Sequence, residues 1–331
     1  MKIHPEDIPD PACAQKLRVA ALLTTFFQRS HAHVILENFL VPYLFNGGVV
    51  DPRERFEVVS FYVDQFGAGG RADLARPVAK QFGIPIFDTI EEALTLGGET
   101  LAVDAVLLIA EHGEYPFNRK GQELYPKREF FDRLTSVFAC SGRAVPVYCD
   151  KHLSHSWEEA EEMTATAKRM GFSLMAGSSV PLAQRIPPLE LGPGAVLTEA
   201  VSVHGGPLER YGFHGLEVLQ SMVEARAGGE TGVCSVQYLE GDALWSAADA
   251  GTWSEVLASA AMRAECGMDA PEVRELLGRP EFAEEKPHGF LLEYRDGLRA
   301  IVLKVGKSDV RWNDAYSCQV SDEPMATFFK I

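Results

Sequence analysis

The chain predicts an α/β protein in two parts: a doubly wound parallel sheet, followed by an α+β domain with an open, mostly antiparallel sheet. Three observations lead there. Over the first 150 residues, short apolar runs bounded by turn residues alternate with stretches of helical spacing. After Pro187-Pro188 the rhythm changes to longer, alternating strands. A length of 331 residues is enough for two cores. The expected boundaries are 1–150 for the parallel-sheet domain, 151–180 for a joining helix and strand, and 181–331 for the α+β domain.

Residues 17–23 are apolar and bounded, as a buried parallel strand should be. Residues 31–44 carry Val34, Ile35, Phe39 and Leu40 at helical spacing. A strand over 56–63 runs up to Asp64, a helix over 73–82 stops at Gly83, and 84–87 is a short strand. Thr89 with Glu92 three residues on is a capping box. Strands follow at 105–110 and 145–149, with a helix over 128–139 between them. Residues 156–170 form an amphipathic helix with Trp157, Ala160 and Met163 on one face, stopped by Gly171; 174–176 is the last strand of the first domain. In the second part, 195–204 alternates like a half-buried strand, 211–225 is a long helix, 233–240 a strand and 252–264 a helix. Residues 289–294, 298–305 and 315–321 read as antiparallel strands, the first two joined by the Asp296-Gly297 hairpin turn.

Charged side chains sum to 31 − 47 = −16. Such a surface repels phosphate backbones and argues against a nucleic-acid partner. No apolar run approaches the roughly 18 residues needed to span a membrane, and residues 1–15, with Pro5, Pro9 and Pro11, lack the apolar core of a signal peptide. None of the six cysteines forms a C-x-x-C pair. The expectation is a cytoplasmic protein with reduced thiols.

The junction after the first strand is the most informative stretch. Val19 to Ala32 has the strand-turn-helix order of a Rossmann-like dinucleotide site, yet a G-x-G-x-x-G pattern laid on it without a gap puts its glycines on Leu23, Thr25 and Gln28. A Cβ at the second position takes space a pyrophosphate needs, and Phe26 and Phe27 add bulk. This predicts weak or absent NAD(P) binding. The opposing reading is a divergent phosphate loop: Thr24, Thr25 and the helix start at Ser30 could hold phosphates, with Asp64 accepting ribose hydroxyls.

Several further stretches line up in order with one family: Val58 to Asp64, Phe82-Gly83-Ile84-Pro85, Asp104-Ala105-Val106-Leu107, Cys149-Asp150-Lys151-His152 before an acidic helix, and Tyr211-Gly212-Phe213-His214 at the start of another. With the strand-turn-helix ending in His31-Ala32, the chain resembles the glucose–fructose oxidoreductase and inositol dehydrogenase (Gfo/Idh/MocA) family over most of its length. The resemblance implies that Lys151 hydrogen-bonds a substrate hydroxyl and that His214 is the general acid/base, with Asp150 and His152 beside Lys151. The chain departs from the family where the dinucleotide is held. The glycines are gone, Glu-Lys-Pro is replaced by Asp150-Lys151-His152, and the loop after the fourth strand reads Ala110-Glu111-His112-Gly113-Glu114-Tyr115-Pro116.

His112, His152, His155, His204 and His214 fall near strand ends or strand-helix junctions, which could bring them together with Glu111, Glu114, Asp150 and Glu217. Substrate contacts are expected from His112, Glu114, Tyr115, His155, Ser178 and Arg185. His214 and Glu217, three apart on one helix face, are a candidate divalent-metal pair as well as a simple hydrogen-bonded pair. The expected protein is an enzyme on a sugar, polyol or related hydroxy compound. It would use acid/base chemistry, with or without a metal, such as elimination, epimerisation or hydrolysis. The alternatives are an NAD(P)-dependent sugar or polyol dehydrogenase and a non-catalytic binding protein. A homo-oligomer is expected, formed through an uncovered apolar face of the strands at 298–305 and 315–321.

Overall fold

The computed structural model describes residues 15–45, 47–192, 194–206, 208–279, 286–305, 314–320 and 323–330. The N-terminal segment examined for a signal peptide, apart from Gln15, lies outside these residues, as does Cys13. The chain divides after Gly177 into two compact units.

The first unit runs β1 (Leu17–Leu23), α1 (His31–Leu40), β2 (Tyr43–Phe45), β3 (Gly48–Val50), β4 (Phe56–Val63), α2 (Ala75–Phe82), β5 (Ile86–Phe87), α3 (Ile90–Thr95), β6 (Ala105–Ile109), α4 (Lys127–Ser141), β7 (Val147–Asp150), α5 (Trp157–Met170) and β8 (Leu174–Gly177). Six of these strands form one parallel sheet in the order β5-β4-β1-β6-β7-β8. Numbered within the sheet, that is 3-2-1-4-5-6, the doubly wound order with its switch point between β1 and β6. The apolar run of β1 is explained by its central place. Val19, Ala21 and Leu23 pack under α1 and α2, while Ala20 and Leu22 pack in the core under α3, α4 and α5. Thr89 caps α3 as the sequence predicts: its Oγ1 accepts from the Glu92 N–H and donates to the Glu92 carboxylate, both at 3.1 Å.

Two local expectations are corrected. The helix predicted over 31–44 stops at Leu40, because Val41 turns extended and the β-forming residues after it build the β2–β3 hairpin around Gly47 (φ 79°). Trp157 does not share the buried face of α5; it is 73% exposed, and Met163 and Ala167 carry the packing.

The second unit comprises β9 (Gln184–Ile186), β10 (Leu197–His204), α6 (Leu208–Val223), β11 (Val233–Glu240), α7 (Asp242–Asp249), α8 (Glu255–Cys266), α9 (Val273–Leu277), β12 (His288–Tyr294), β13 (Arg299–Lys304), β14 (Asp314–Val320) and β15 (Glu323–Lys330). Its strands form a seven-stranded sheet in the order β11-β12-β13-β10-β14-β15-β9, antiparallel except between β10 and β13. Among the described residues, β13 and β14 do not show the uncovered apolar face expected of them. Val218, Leu219, Met222 and Val223 of α6 cover one side, and Leu257, Ala258, Ala261 and Met262 of α8 cover the other.

Candidate functional site

In the first unit, the chain leaving β1 turns back on itself at the switch point. Thr24 and Thr25 are buried; Thr24 Oγ1 donates to the Glu111 carbonyl at 2.8 Å, and the Thr24 carbonyl accepts from the Gln65 N–H at 2.8 Å. Phe26 packs edge-on against Phe61, and the Phe27 ring lies between the His112 ring (5.3 Å) and the Arg71 guanidinium (4.3 Å). Ser30 Oγ caps α1, accepting from the N–H groups of Phe27 and His33 at 3.2 Å each. Arg29 (φ 67°) takes the left-handed conformation that a glycine would adopt more cheaply.

Asp64, at the end of β4, stands where an acid could accept ribose hydroxyls, but both carboxylate oxygens are engaged. Tyr62 donates to Oδ1 at 3.0 Å and Tyr115 to Oδ2 at 2.7 Å. Both phenols are pushed up, first by burial and then by Asp64, Tyr62 to about 12. The loop after β6 is tied down beside them: Glu114 N–H donates to Gln65 Oε1 at 2.8 Å, and Glu114 Oε1 accepts from Gly69 N–H at 3.0 Å. Tyr115 and Glu114 therefore hold the loop across the crevice. With Leu23, Thr25 and Gln28 at the glycine positions, Phe27 in the turn against His112, and the Tyr115 loop tied to Asp64, the residues present do not fit a dinucleotide in its usual pose.

Beside this closed crevice, at the ends of β6 and β7, lies a buried charged cluster. Glu111 Oε1 meets Lys127 Nζ at 2.5 Å, and its Oε2 meets Lys151 Nζ at 3.3 Å. Burial alone would raise the Glu111 carboxyl. The positive charges of Lys127, Lys151 and His31 outweigh it and hold the group far below the usual carboxylate range. Asp150 Oδ2 bonds His31 Nδ1 at 2.6 Å, and the His31 ring packs on His112 at 5.1 Å. Asp150 Oδ1 is buried without a hydrogen-bond partner among the described residues. Such an oxygen is costly unless a donor reaches it. Burial, then the Lys127 charge, depresses His152 to about 4, so its ring is neutral near pH 7. Lys151 is 3% exposed, which excludes a solvated surface lysine.

The second unit brings Ser178, His214 and Glu217 together. Ser178 Oγ bonds His214 Nδ1 at 2.5 Å, and Ser178 N–H donates to Glu217 Oε2 at 3.1 Å. His214 lies in the second turn of α6, not at its start, because the helix begins at Leu208. Burial raises the Glu217 carboxyl, and the Ser178 N–H opposes that. Both groups bond Ser178, and among the described residues no group of three or more His, Cys, Asp or Glu side chains is arranged to hold a metal ion, so the metal reading gains no support. Arg185, on β9, donates to the Leu189 carbonyl at 3.0 Å and to Glu190 at 3.1 Å. His155 is exposed, and His204 is buried in the sheet with Nδ1 on the Gly205 carbonyl at 3.0 Å.

Lys127 and the pairing role of His31 are the members that sequence reasoning missed. A signal existed for Lys127. It precedes Phe130, Phe131 and Leu134 by three, four and seven residues, which puts it on the buried stripe of α4.

No protein-family model matches the chain, and no curated protein matches it significantly. Solved structures match it by fold. GenD2 from gentamicin A biosynthesis, in complex with NAD, aligns over 97% of this chain and 75% of its own, at 14% identity and a TM-score of 0.56. The UDP-N-acetylglucosamine 3-dehydrogenase GnnA from Acidithiobacillus ferrooxidans aligns over 95% and 77%, at 11% and 0.53. Biliverdin reductase from Synechocystis sp. PCC 6803, in complex with biliverdin and NADP+, aligns over 94% and 79%, at 13% and 0.51. The parallel-sheet unit and the mostly antiparallel unit are thus a fold shared with nucleotide-dependent oxidoreductases. No helix among the described residues is long and apolar enough to cross a membrane.

Proposed function

We propose that the protein is an enzyme of the Gfo/Idh/MocA type that handles protons on a small hydroxylated compound, a sugar, a polyol or a relative, without a dinucleotide in the β1–β6 crevice. One observation carries the reading: the unpartnered, buried Asp150 Oδ1 stands next in the chain to the buried Lys151, at the carboxyl edge of the parallel sheet. Ligands of doubly wound folds bind at that edge. A substrate hydroxyl would satisfy Asp150 Oδ1 as a donor. The Lys151 ammonium would donate to the substrate oxygen and stabilise negative charge developing on it. Glu111 and His31 hold these two groups in place from behind. In the second unit, Ser178 fixes the His214 ring through Nδ1, which suits a residue that must present its imidazole in one orientation.

A second reading, an NAD(P)-dependent sugar or polyol dehydrogenase, is favoured by the fold neighbours solved with NAD or NADP+. It requires the Tyr115 loop and Phe27 to leave the crevice.

The two readings part in one experiment. The protein is incubated with a panel of sugars and polyols in deuterium oxide, with and without NAD or NADP, and each compound is examined by mass spectrometry. Deuterium entering a carbon-bound position without added or co-purified nucleotide supports the first reading. Turnover that appears only with NAD(P), together with micromolar affinity in calorimetry, replaces it with the second.

A further inference from the structure

Lys127 is the first residue of α4, and its side chain is 3% exposed. Its ammonium meets four oxygens. Glu111 Oε1 lies at 2.5 Å, the Asp150 carbonyl at 3.1 Å and the His152 carbonyl at 2.9 Å; the Lys151 carbonyl is the fourth. An ammonium has three hydrogens, so three straight hydrogen bonds cannot serve four acceptors. At least one oxygen is held by charge, as a metal ion would hold it. Three consecutive carbonyls turned to one point, with a carboxylate opposite, are the oxygen set that replaces the hydration shell of a potassium or ammonium ion.

The three carbonyls belong to the turn leaving β7, the turn that carries Asp150, Lys151 and His152. Carbonyls facing each other repel unless a cation lies between them. We propose that Lys127 is a tethered monovalent cation: it positions Lys151 and Asp150 by gathering the carbonyls of residues 150–152, and the cage accepts a free monovalent cation once the tether is cut. This role holds whatever reaction the site performs. Lys127 is a positioning residue, acting through the backbone of its neighbours.

The test uses the full chain carrying Lys127→Ala, with Lys127→Met as the uncharged filler. Thermal stability is measured in choline chloride and in the chlorides of potassium, ammonium and propylammonium, the last being the fragment the alanine deletes. In parallel, acetic anhydride footprinting with mass spectrometry reads how readily Lys151 is acetylated. The expected result is a lowered melting temperature and faster acetylation of Lys151 in both variants in choline. In Lys127→Ala both should return toward wild type, saturably, with at least one of the three small cations, and 1-propanol should not substitute. Lys127→Met, whose side chain blocks the cage, should not respond, and neither should wild type. A folded Lys127→Ala that is indifferent to cation identity, or whose Lys151 acetylation does not change, overturns the proposal. If that variant is recovered unfolded, refolding from urea in each salt gives the same answer. Folding in a small-cation salt but not in choline supports the cage, and equal yields in every salt, including none, reject it.

Discussion

Tyr115 donates its phenol to Asp64 across 2.7 Å, linking the loop after β6 to the end of β4 over the switch point of the sheet. The same acid takes a second phenol from Tyr62 at 3.0 Å. The exposed carboxylate can accept further hydrogen bonds, but a ribose that takes the place of Tyr115 on it must break a hydrogen bond to a charged group. Such a bond is worth about 1.5–3 kcal/mol. Tyr115→Phe is therefore expected to tighten NAD or NADP binding roughly 10- to 100-fold over wild type, whatever the wild-type affinity. Isothermal calorimetry on the two proteins decides it. Equal affinities would mean that the Phe27 turn, not the Tyr115 link, closes the crevice.

Glu111 stands between two buried ammonium groups, with one oxygen on each. Glu111→Gln leaves both cations buried without their anion. Breaking a buried pair from one side costs about 3–5 kcal/mol, and the loss here should reach at least that range. Lys151→Met should cost less, because Glu111 keeps Lys127 at 2.5 Å. Urea unfolding of the three proteins checks the order. A Lys151→Met protein less stable than Glu111→Gln would show that Lys151 is the principal partner of the carboxylate.

The local chemistry of the chain was legible in its sequence, and the contacts between distant segments were not. The central strand was readable because Val19 to Leu23 is apolar on both faces, and the start of α3 because Thr89 and Glu92 satisfy each other within one turn. Asp150 and Lys151 were readable as a pair at a strand end. Lys127 was not, since a lysine opening a helix ordinarily lies in water and only the phenylalanines that follow reveal its face. The second sheet shows the same limit. The alternation of β13 and β14 says that each has two faces, but which of them a helix covers depends on α8, whose packing is tertiary. The end of α1 was misplaced because Tyr43, Leu44 and Phe45 suit a helix by spacing and a strand by propensity, and the hairpin partner Val49–Val50 settled it.

His204 supplies a pH signature for the second unit. Burial pushes its pKa down to about 4, against an unfolded value of about 6.5. Between those values the unfolded chain binds a proton that the folded chain does not. Stability from this residue therefore rises with pH across about 4 to 6.5 and is lost as pH falls through that window, to a ceiling of about 3 kcal/mol. His152, also depressed to about 4, acts in the same direction. Asp314 opposes them: burial and then Glu265 raise it to about 8, so its folded form keeps a proton that the unfolded form releases. The difference between wild type and His204→Gln isolates one group. Measured by urea unfolding, that difference should shift in favour of wild type by about 1–3 kcal/mol from pH 4 to pH 7. A difference that stays flat with pH would show that the ring is not held neutral.

With β13 and β14 covered on both sides, the candidate assembly surface is β11, which is left exposed. It is an outer strand of that sheet, with Val236 61% and Tyr238 48% exposed. Edge strands with apolar side chains pair with other chains unless they are protected. Light scattering is expected to give about twice the 36.4 kDa chain mass, falling to one chain mass in Val236→Lys. A wild-type monomer at all concentrations would remove the surface, and a dimer indifferent to Val236→Lys would place it off β11.

Ser178 is the hinge of the polar group on α6, since its hydroxyl meets His214 Nδ1 at 2.5 Å while accepting the Val180 N–H at 3.0 Å. Ser178→Ala removes one partner from each of two groups and should cost about 1–3 kcal/mol in stability. The more telling effect concerns the ring, because a histidine's tautomer follows the hydrogen bond its other nitrogen makes. In ¹⁵N spectra of the imidazoles, Ser178→Ala should move the Nδ1 and Nε2 shifts of His214 toward those of an unconstrained ring, and Ser178→Thr, which keeps the hydroxyl, should stay near wild type. If turnover is found, the alanine variant should lose kcat more than KM, since it disturbs orientation and leaves substrate contacts in place. Unchanged imidazole shifts in Ser178→Ala would show that Ser178 does not set the His214 ring, and the role assigned to that histidine would lose its structural support.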